Sequence, residues 1–298
     1  MLFERQKRLL ALLDALGGNI SALDFQKLLF LYCSKSEEEP SYEFVPYRFG
    51  CFSFTSYADK HRLIERGLLA DDERNWKLTD AGKKAATVTW VTRTTMKQFA
   101  QTHDSLRGNQ LVAHTYRQSP YYAIRSEMAP RLLAKDPRAL AAIEASRPPP
   151  ARAGICTIGY EGRSLENYLN ILIKQSITLL CDVRRNPLSR KYGFSKSTLS
   201  KSCGHIGIRY EHLPELGIAP EERRELNTQE DYDALFAVYE RDSLPGQTGA
   251  LRLIKSWVDE GHHVALTCFE HLPCQCHRHC VANALEKLFG PALEPRHL

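Results

Sequence analysis

Several features that would settle the class of this chain at once are missing from its sequence. No uninterrupted apolar run approaches the roughly 18 residues that a membrane-spanning helix needs. The opening MLFERQKRLL carries charges among its apolar residues, where a secretory signal has an unbroken hydrophobic stretch. The expectation is therefore a soluble globular protein with no membrane partner and the cytoplasm as its default compartment. Neither the G-x-G-x-x-G dinucleotide fingerprint nor the P-loop occurs, which leaves NAD and ATP unsupported. The nine cysteines do not fall at the regular spacings of a secreted disulfide framework. The zinc-deaminase pattern, H-x-E followed at a distance by P-C-x-x-C, is missing as well.

The 298 residues suffice for two domains at roughly 100 to 200 residues each. The net charge of +5 is unevenly placed. Residues 1–90 and residues 151–298 are each balanced, while residues 91–150 hold 9 Lys and Arg against 4 acidic residues. A local basic surface attracts polyanions by counterion release, so nucleic acid, and DNA in particular, is the first partner expected. Within that segment Tyr116, Tyr121 and Tyr122 lie among Arg117, Arg125 and Arg131, a mixture that can stack on bases while the guanidinium groups, that of Arg107 included, meet phosphates. Helices that pack their tyrosines and leave their arginines in solvent explain the same pattern equally well. A homo-oligomer stays open.

Leu9, Leu10, Leu12, Leu13 and Leu16 recur at helical spacing up to Gly17-Gly18, and LDFQKLLFLYC follows as a second helix. YEFVPYRFGCFSF reads as extended chain broken by Pro46 and Gly50; a helix, a strand pair turning at Asp71 to Arg74 and a helix capped by Thr79 or Asp80 come next. Helices followed by a hairpin predict a winged-helix-like α+β domain over 1–90. A basic helical connector over 91–144 and a stiff proline linker over 145–153 separate it from the rest. From 154 to 290 strands alternate with helices (GICTIGY, ITLLCDVR, IRYEHL and HVALTCFE are the strands), which predicts a Rossmann-like parallel sheet in three layers. Residues 291–298 are left as a tail.

Ligands collect at the carboxyl ends of the strands in such a sheet. Those ends carry Gly159, Tyr160 and Glu161, then Asp182, Arg184 and Arg185, then Tyr210 and His212, and last Cys268 and Glu270. Asp182 suits a general base, a nucleophile or the orienter of an arginine. Arg184, Arg185, Ser189 and Arg190 supply charge-assisted donors for phosphate or carboxylate. Glu270 ends an apolar strand, where low dielectric would raise its pKa. Cys276, His277 and Arg278 open a helix whose amino end favours a thiolate or a bound anion. Cys276 reads as a nucleophile, a metal ligand or a helix-start residue. Zinc at Cys274, Cys276, His277, His279 and Cys280 is conceivable from the donor types, but C-x-C-H-x-H-C matches no common closed zinc motif. No cofactor is predicted.

The run QKLLFLY, FVPYRFG and LIERGLL resembles the winged-helix-like Panacea domains of prokaryotic antitoxins and mobile elements, which implies protein or nucleic-acid interaction rather than catalysis. TIGYEG, CDVRRNPLSRKYGFS, RYEHLPELG, TCFE and CHR, in that order over about 154–290, resemble the family called domain of unknown function 488. Ile218 departs from it where many relatives have a second glycine. This second resemblance implies a compact α/β domain with an acidic, arginine-rich and cysteine-histidine rim. On that rim the arginines would hold a phosphate or a polynucleotide backbone. A carboxylate, Asp182 or Glu270, would activate water or stabilise positive charge at a sugar carbon, with Tyr160, His212 and Cys276 as further catalytic candidates and Tyr210, His277 and Arg278 as substrate contacts. Hydrolysis of a glycosidic bond is preferred over phosphodiester cleavage, since nucleases usually gather carboxylates around magnesium. The competing expectation is a regulatory, antitoxin-like module that reads DNA and binds a small anionic ligand without turnover. A redox or sulfur-transfer role for the Cys276 region is a third.

Overall fold

The computed structural model describes residues 1–223 and 226–298. The chain divides into two compact units, Met1–Arg147 and Pro148–Leu298. The first consists of helices with two small sheets. It runs α1 (Glu4–Ala15), β1 (Asn19–Ser21), α2 (Ala22–Lys35), β2 (Val45–Tyr47), β3 (Gly50–Phe52), α3 (Phe54–Glu65), β4 (Asn75–Lys77), α4 (Asp80–Ala85), α5 (Trp90–Thr102), α6 (Gly108–Gln118), α7 (Ala129–Leu132) and α8 (Pro137–Ala145). Side-chain oxygens set the helix starts: Ser21 accepts from the amide of Asp24, and Thr79 from that of Gly82. β2 and β3 form an antiparallel hairpin, and β4 pairs with β1. The turn expected around Asp71 is closed by a bridge between Leu69 and Leu78 rather than by a full strand pair. The helices after residue 90 belong to this unit, and Met96, Phe99 and Leu111 join its core.

The second unit is the mixed α/β half. Its order is β5 (Gly154–Gly159), α9 (Leu165–Lys174), β6 (Leu179–Asp182), α10 (Lys196–His205), β7 (Arg209–His212), α11 (Gln229–Val238), α12 (Thr248–Asp259), β8 (His263–Cys268), α13 (Arg278–Phe289) and β9 (Arg296–His297). The strands form one parallel sheet in the order β7-β6-β8-β5-β9. The fifth strand lies where the sequence suggests only a tail. Leu298, just after it, donates its amide to the Thr157 carbonyl at 2.9 Å, and the two-residue strand is too short for any periodicity to announce.

Val264 to Cys268 are all buried, and successive strand residues face opposite sides, so both faces of the sheet are covered. Val264, Leu266 and Cys268 pack with Ile254 of α12 and Val281 and Leu285 of α13. On the other face Thr267 accepts a hydrogen bond from the Tyr168 hydroxyl of α9 at 2.7 Å. The alternation therefore sends Asp182 and Cys268, both at strand ends, to opposite faces of one rim. No helix among the described residues is long and apolar enough to cross a membrane.

Candidate active site

β6, β7 and β8 end side by side, with Asp182 in register with His212 and with Thr267. Asp182 is completely buried. Arg184 grips it from two residues away, Nε to Oδ1 at 2.8 Å and Nη2 to Oδ2 at 2.5 Å, and the Tyr210 hydroxyl donates to Oδ2 at 2.6 Å. Of the three roles the sequence leaves open for Asp182, this geometry gives it that of orienter: its oxygens are already taken. Arg184 spends its remaining donors on the Tyr160 hydroxyl (2.8 Å) and the Phe194 carbonyl (2.9 Å). Burial opposes its charge, but Asp182 more than compensates and holds the guanidinium above its ordinary value. Burial and the same carboxylate push the Tyr210 phenol up. Tyr160 is buried, its ring stacked on Phe194 at 4.3 Å, and its phenol is also raised by burial. His212 Nε2 lies 2.8 Å from the Arg184 carbonyl, so it must donate there, and Nδ1 faces Lys196 Nζ at 3.1 Å. Arg184, Tyr160, Tyr210 and His212 thus form a scaffold under the loop that follows β6.

That loop carries the accessible groups. Arg185 and Arg190 are exposed, and Ser189 is half-buried, its hydroxyl accepting the amide of Lys191 while its own amide is held by Ser195 Oγ. They line a cleft of ≈ 490 Å³ together with Tyr160, Arg184, Leu188, Ile218, Arg223, Cys268, Phe269 and His277. Gly217, beside Ile218, allows the close approach of a backbone: a Cβ there would meet the Arg185 amide nitrogen at 2.1 Å. Ile218 therefore supplies a buried cleft wall after a turn that Gly217 alone permits.

Behind the cleft lining, Glu270 is buried and ion-paired with Arg223, which does line it. Burial would raise its pKa, as the sequence suggests, but the guanidinium wins and holds the carboxyl below its usual range. Arg223 is the one cleft cation the sequence reading missed. It sits in the charged run EERRE, where no spacing separates a site arginine from a solvated one. Arg278 proves to be a fully buried clamp rather than a substrate contact. Its Nη1 and Nη2 donate to the carbonyls of Glu270 (2.6 Å) and His271 (2.9 Å) and so fix the chain after β8. Gly159 serves the same turn, since a Cβ on it would lie 1.8 Å from the Glu270 carbonyl oxygen.

Cys276 is also fully buried, ahead of a helix that begins at Arg278. Burial holds its thiol well above the ordinary value, which removes it as an exposed helix-start thiolate. Of the five zinc candidates, Cys274 is exposed and His279 turns its Nδ1 to the Cys276 carbonyl at 2.7 Å. Among the described residues, the group that does converge is Cys268, Cys276 and His277, with donor atoms within 4.8 Å of one another.

In the first unit, Tyr116 cannot stack on a base. It is completely buried under the Gly50 turn, with its hydroxyl 2.6 Å from Ser126 Oγ. Tyr122 packs edge-on against Phe30 at 4.6 Å and against Tyr121 at 5.2 Å. Arg117 is paired with Asp136 at 2.7 Å, and Arg107 donates to the carbonyls of His103 and Leu106. Arg125 is exposed, as are Lys97, Arg131, Lys135 and Arg138.

The second unit is thus a parallel α/β domain with an arginine-lined cleft at its strand ends. Residues 164–285 match the family described as Domain of unknown function DUF488. The match runs from the start of α9 into α13 and leaves β5, with Gly159 and Tyr160, just outside it. No curated protein and no solved structure matches the chain.

Proposed function

We propose that the second unit is a hydrolase acting on DNA or a nucleotide-like substrate, with cleavage of a glycosidic bond favoured over a phosphodiester. The observation that carries this is a cleft lined by exposed cations and an exposed ring, with a buried carboxylate held by the lining Arg223. Arg185 and Arg190 present guanidinium groups suited to phosphate. Phe269 is 42% exposed on the same wall and offers a face for a base. Glu270, fixed by Arg223, is the carboxylate that would orient water or answer positive charge growing at a sugar carbon. Asp182 keeps Arg184 and the loop in place. The exposed cations of the first unit, Arg125 and Arg131 among them, would add polyanion affinity, and a winged-helix, antitoxin-like role for residues 1–90 belongs to the same proposal. The cytoplasm is the compartment such chemistry fits.

One observation favours the alternative, a DNA-linked binding module for a small anion: both rim carboxylates are already engaged by arginines. Mass spectrometry of single- and double-stranded DNA, with ordinary and modified bases, after incubation with wild type and Glu270→Gln separates the two. Released base or cut strand with wild type and none with the folded variant supports the hydrolase. Bound but unchanged DNA overturns it in favour of the binding module.

A further inference from the structure

The two cysteines and the histidine behind the cleft are arranged as metal ligands. Cys268 is the last residue of β8, Cys276 lies in the turn before α13, and His277 is that helix's N-cap; they are 1%, 0% and 2% exposed. Buried thiols alone would be ordinary small apolar packing. The imidazole is what makes this cluster different. His277 Nε2 is 2.9 Å from the Val183 carbonyl, which can only accept, so that nitrogen carries the proton. The lone pair of Nδ1 is then left facing Cys268 Sγ at 3.8 Å. A backbone carbonyl that fixes the far nitrogen and aims the near one is the support that metal-bound histidines use. The spacing of Cys268 and His277 agrees with it. Bonds of about 2.3 Å to sulfur and 2.0 Å to nitrogen in a tetrahedron put adjacent sulfur and nitrogen ligands about 3.6 Å apart.

We propose that Cys268, Cys276 and His277 bind a single thiophilic divalent ion of the zinc class through three protein ligands. Cys268 and His277 also line the cleft, and Glu270 Oε2 lies 3.5 Å from Cys268 Sγ, so an ion held there would sit next to the cleft and to Glu270. The charges close: two thiolates balance the ion, and Arg223 balances Glu270. A bound oxygen at the open position would be polarised beside Glu270. The proposal does not rest on the hydrolase reading, because metal binding is read directly and either can fail alone.

The test is titration of the full-length, reduced, chelator-stripped chain with cobalt(II). One equivalent should produce a thiolate-to-cobalt charge-transfer band in the near ultraviolet and intense visible bands of four-coordinate cobalt. Zinc should abolish both by displacement. Cys276→Ser and His277→Ala should lose the bands, whereas Cys274→Ser, altered at an exposed thiol, should keep them. As a readout independent of variants, the wild-type unfolding midpoint should rise with zinc concentration, as linkage requires for a ligand of the folded state. Absence of the charge-transfer band, its persistence in folded Cys276→Ser, or a midpoint indifferent to zinc would overturn the site.

Discussion

Each unit buries a cation, and the two are treated in opposite ways. Lys27 of the first unit is 2% exposed, and its ammonium donates to the Cys51 carbonyl at 2.9 Å. Among the described residues no carboxylate lies within ion-pair distance of it, and burial lowers its pKa. Arg184 of the second unit is 6% exposed, yet Asp182, Tyr160 and Phe194 satisfy it and its charge is held. The carboxylate two residues away decides the outcome. Burial opposes a charge less where the chain supplies its counterion and acceptors together, as it does for Arg184 beside the arginine-lined cleft.

The largest expected effect comes from breaking the satisfied centre. Asp182→Ala strands a buried guanidinium and should cost about 3 to 5 kcal/mol, measured as the urea midpoint of the second unit's transition. A loss under about 1 kcal/mol would show that the pair is not what holds the loop. Next is Gly159→Ala, whose Cβ would collide with the Glu270 carbonyl. Overpacking of this kind costs about 1 to 3 kcal/mol, and by displacing Glu270 it should depress turnover more than stability. Unchanged turnover would remove Glu270's turn from the mechanism.

Lys27 sharpens the comparison through pH. Its folded pKa lies below the ordinary value near 10.4, so between the two the unfolded chain binds more protons and stability rises with pH. Across that window wild type should gain on Lys27→Met by up to about 1.4 kcal/mol per pH unit. Parallel pH profiles for the two proteins would mean that the amine keeps its proton. The smallest effect is expected at Arg117, whose pair with Asp136 is largely exposed. Arg117→Ala should leave the unfolding midpoint unmoved, while DNA affinity at low salt falls slightly if the first unit contacts the polyanion.

The alternation of strands and helices was enough to read the sheet, because fully buried parallel strands leave unmixed apolar runs such as ITLLC and HVALTC. β9 was not legible: two residues paired on one edge leave no period. At the rim, the strand-end rule points to Tyr160, Asp182, Tyr210, His212, Cys268 and Glu270, yet it could not say which would line the cleft and which would be scaffold. Buried or accessible is decided by packing, and packing made Arg278 a clamp, Asp182 an orienter and Tyr116 core. Cys268 and the Cys276-His277 pair come together only because β8 and α13 meet at the rim. A search for short ligand spacings turns instead to Cys274, His279 and Cys280.

The central claim, hydrolysis of a glycosidic bond in the second unit's cleft, is tested most directly by running the reaction in heavy-oxygen water and locating the label. The account predicts incorporation at the sugar carbon released from the base, and none with Glu270→Gln. Label on phosphate would contradict the choice of bond, and product without label would contradict hydrolysis itself.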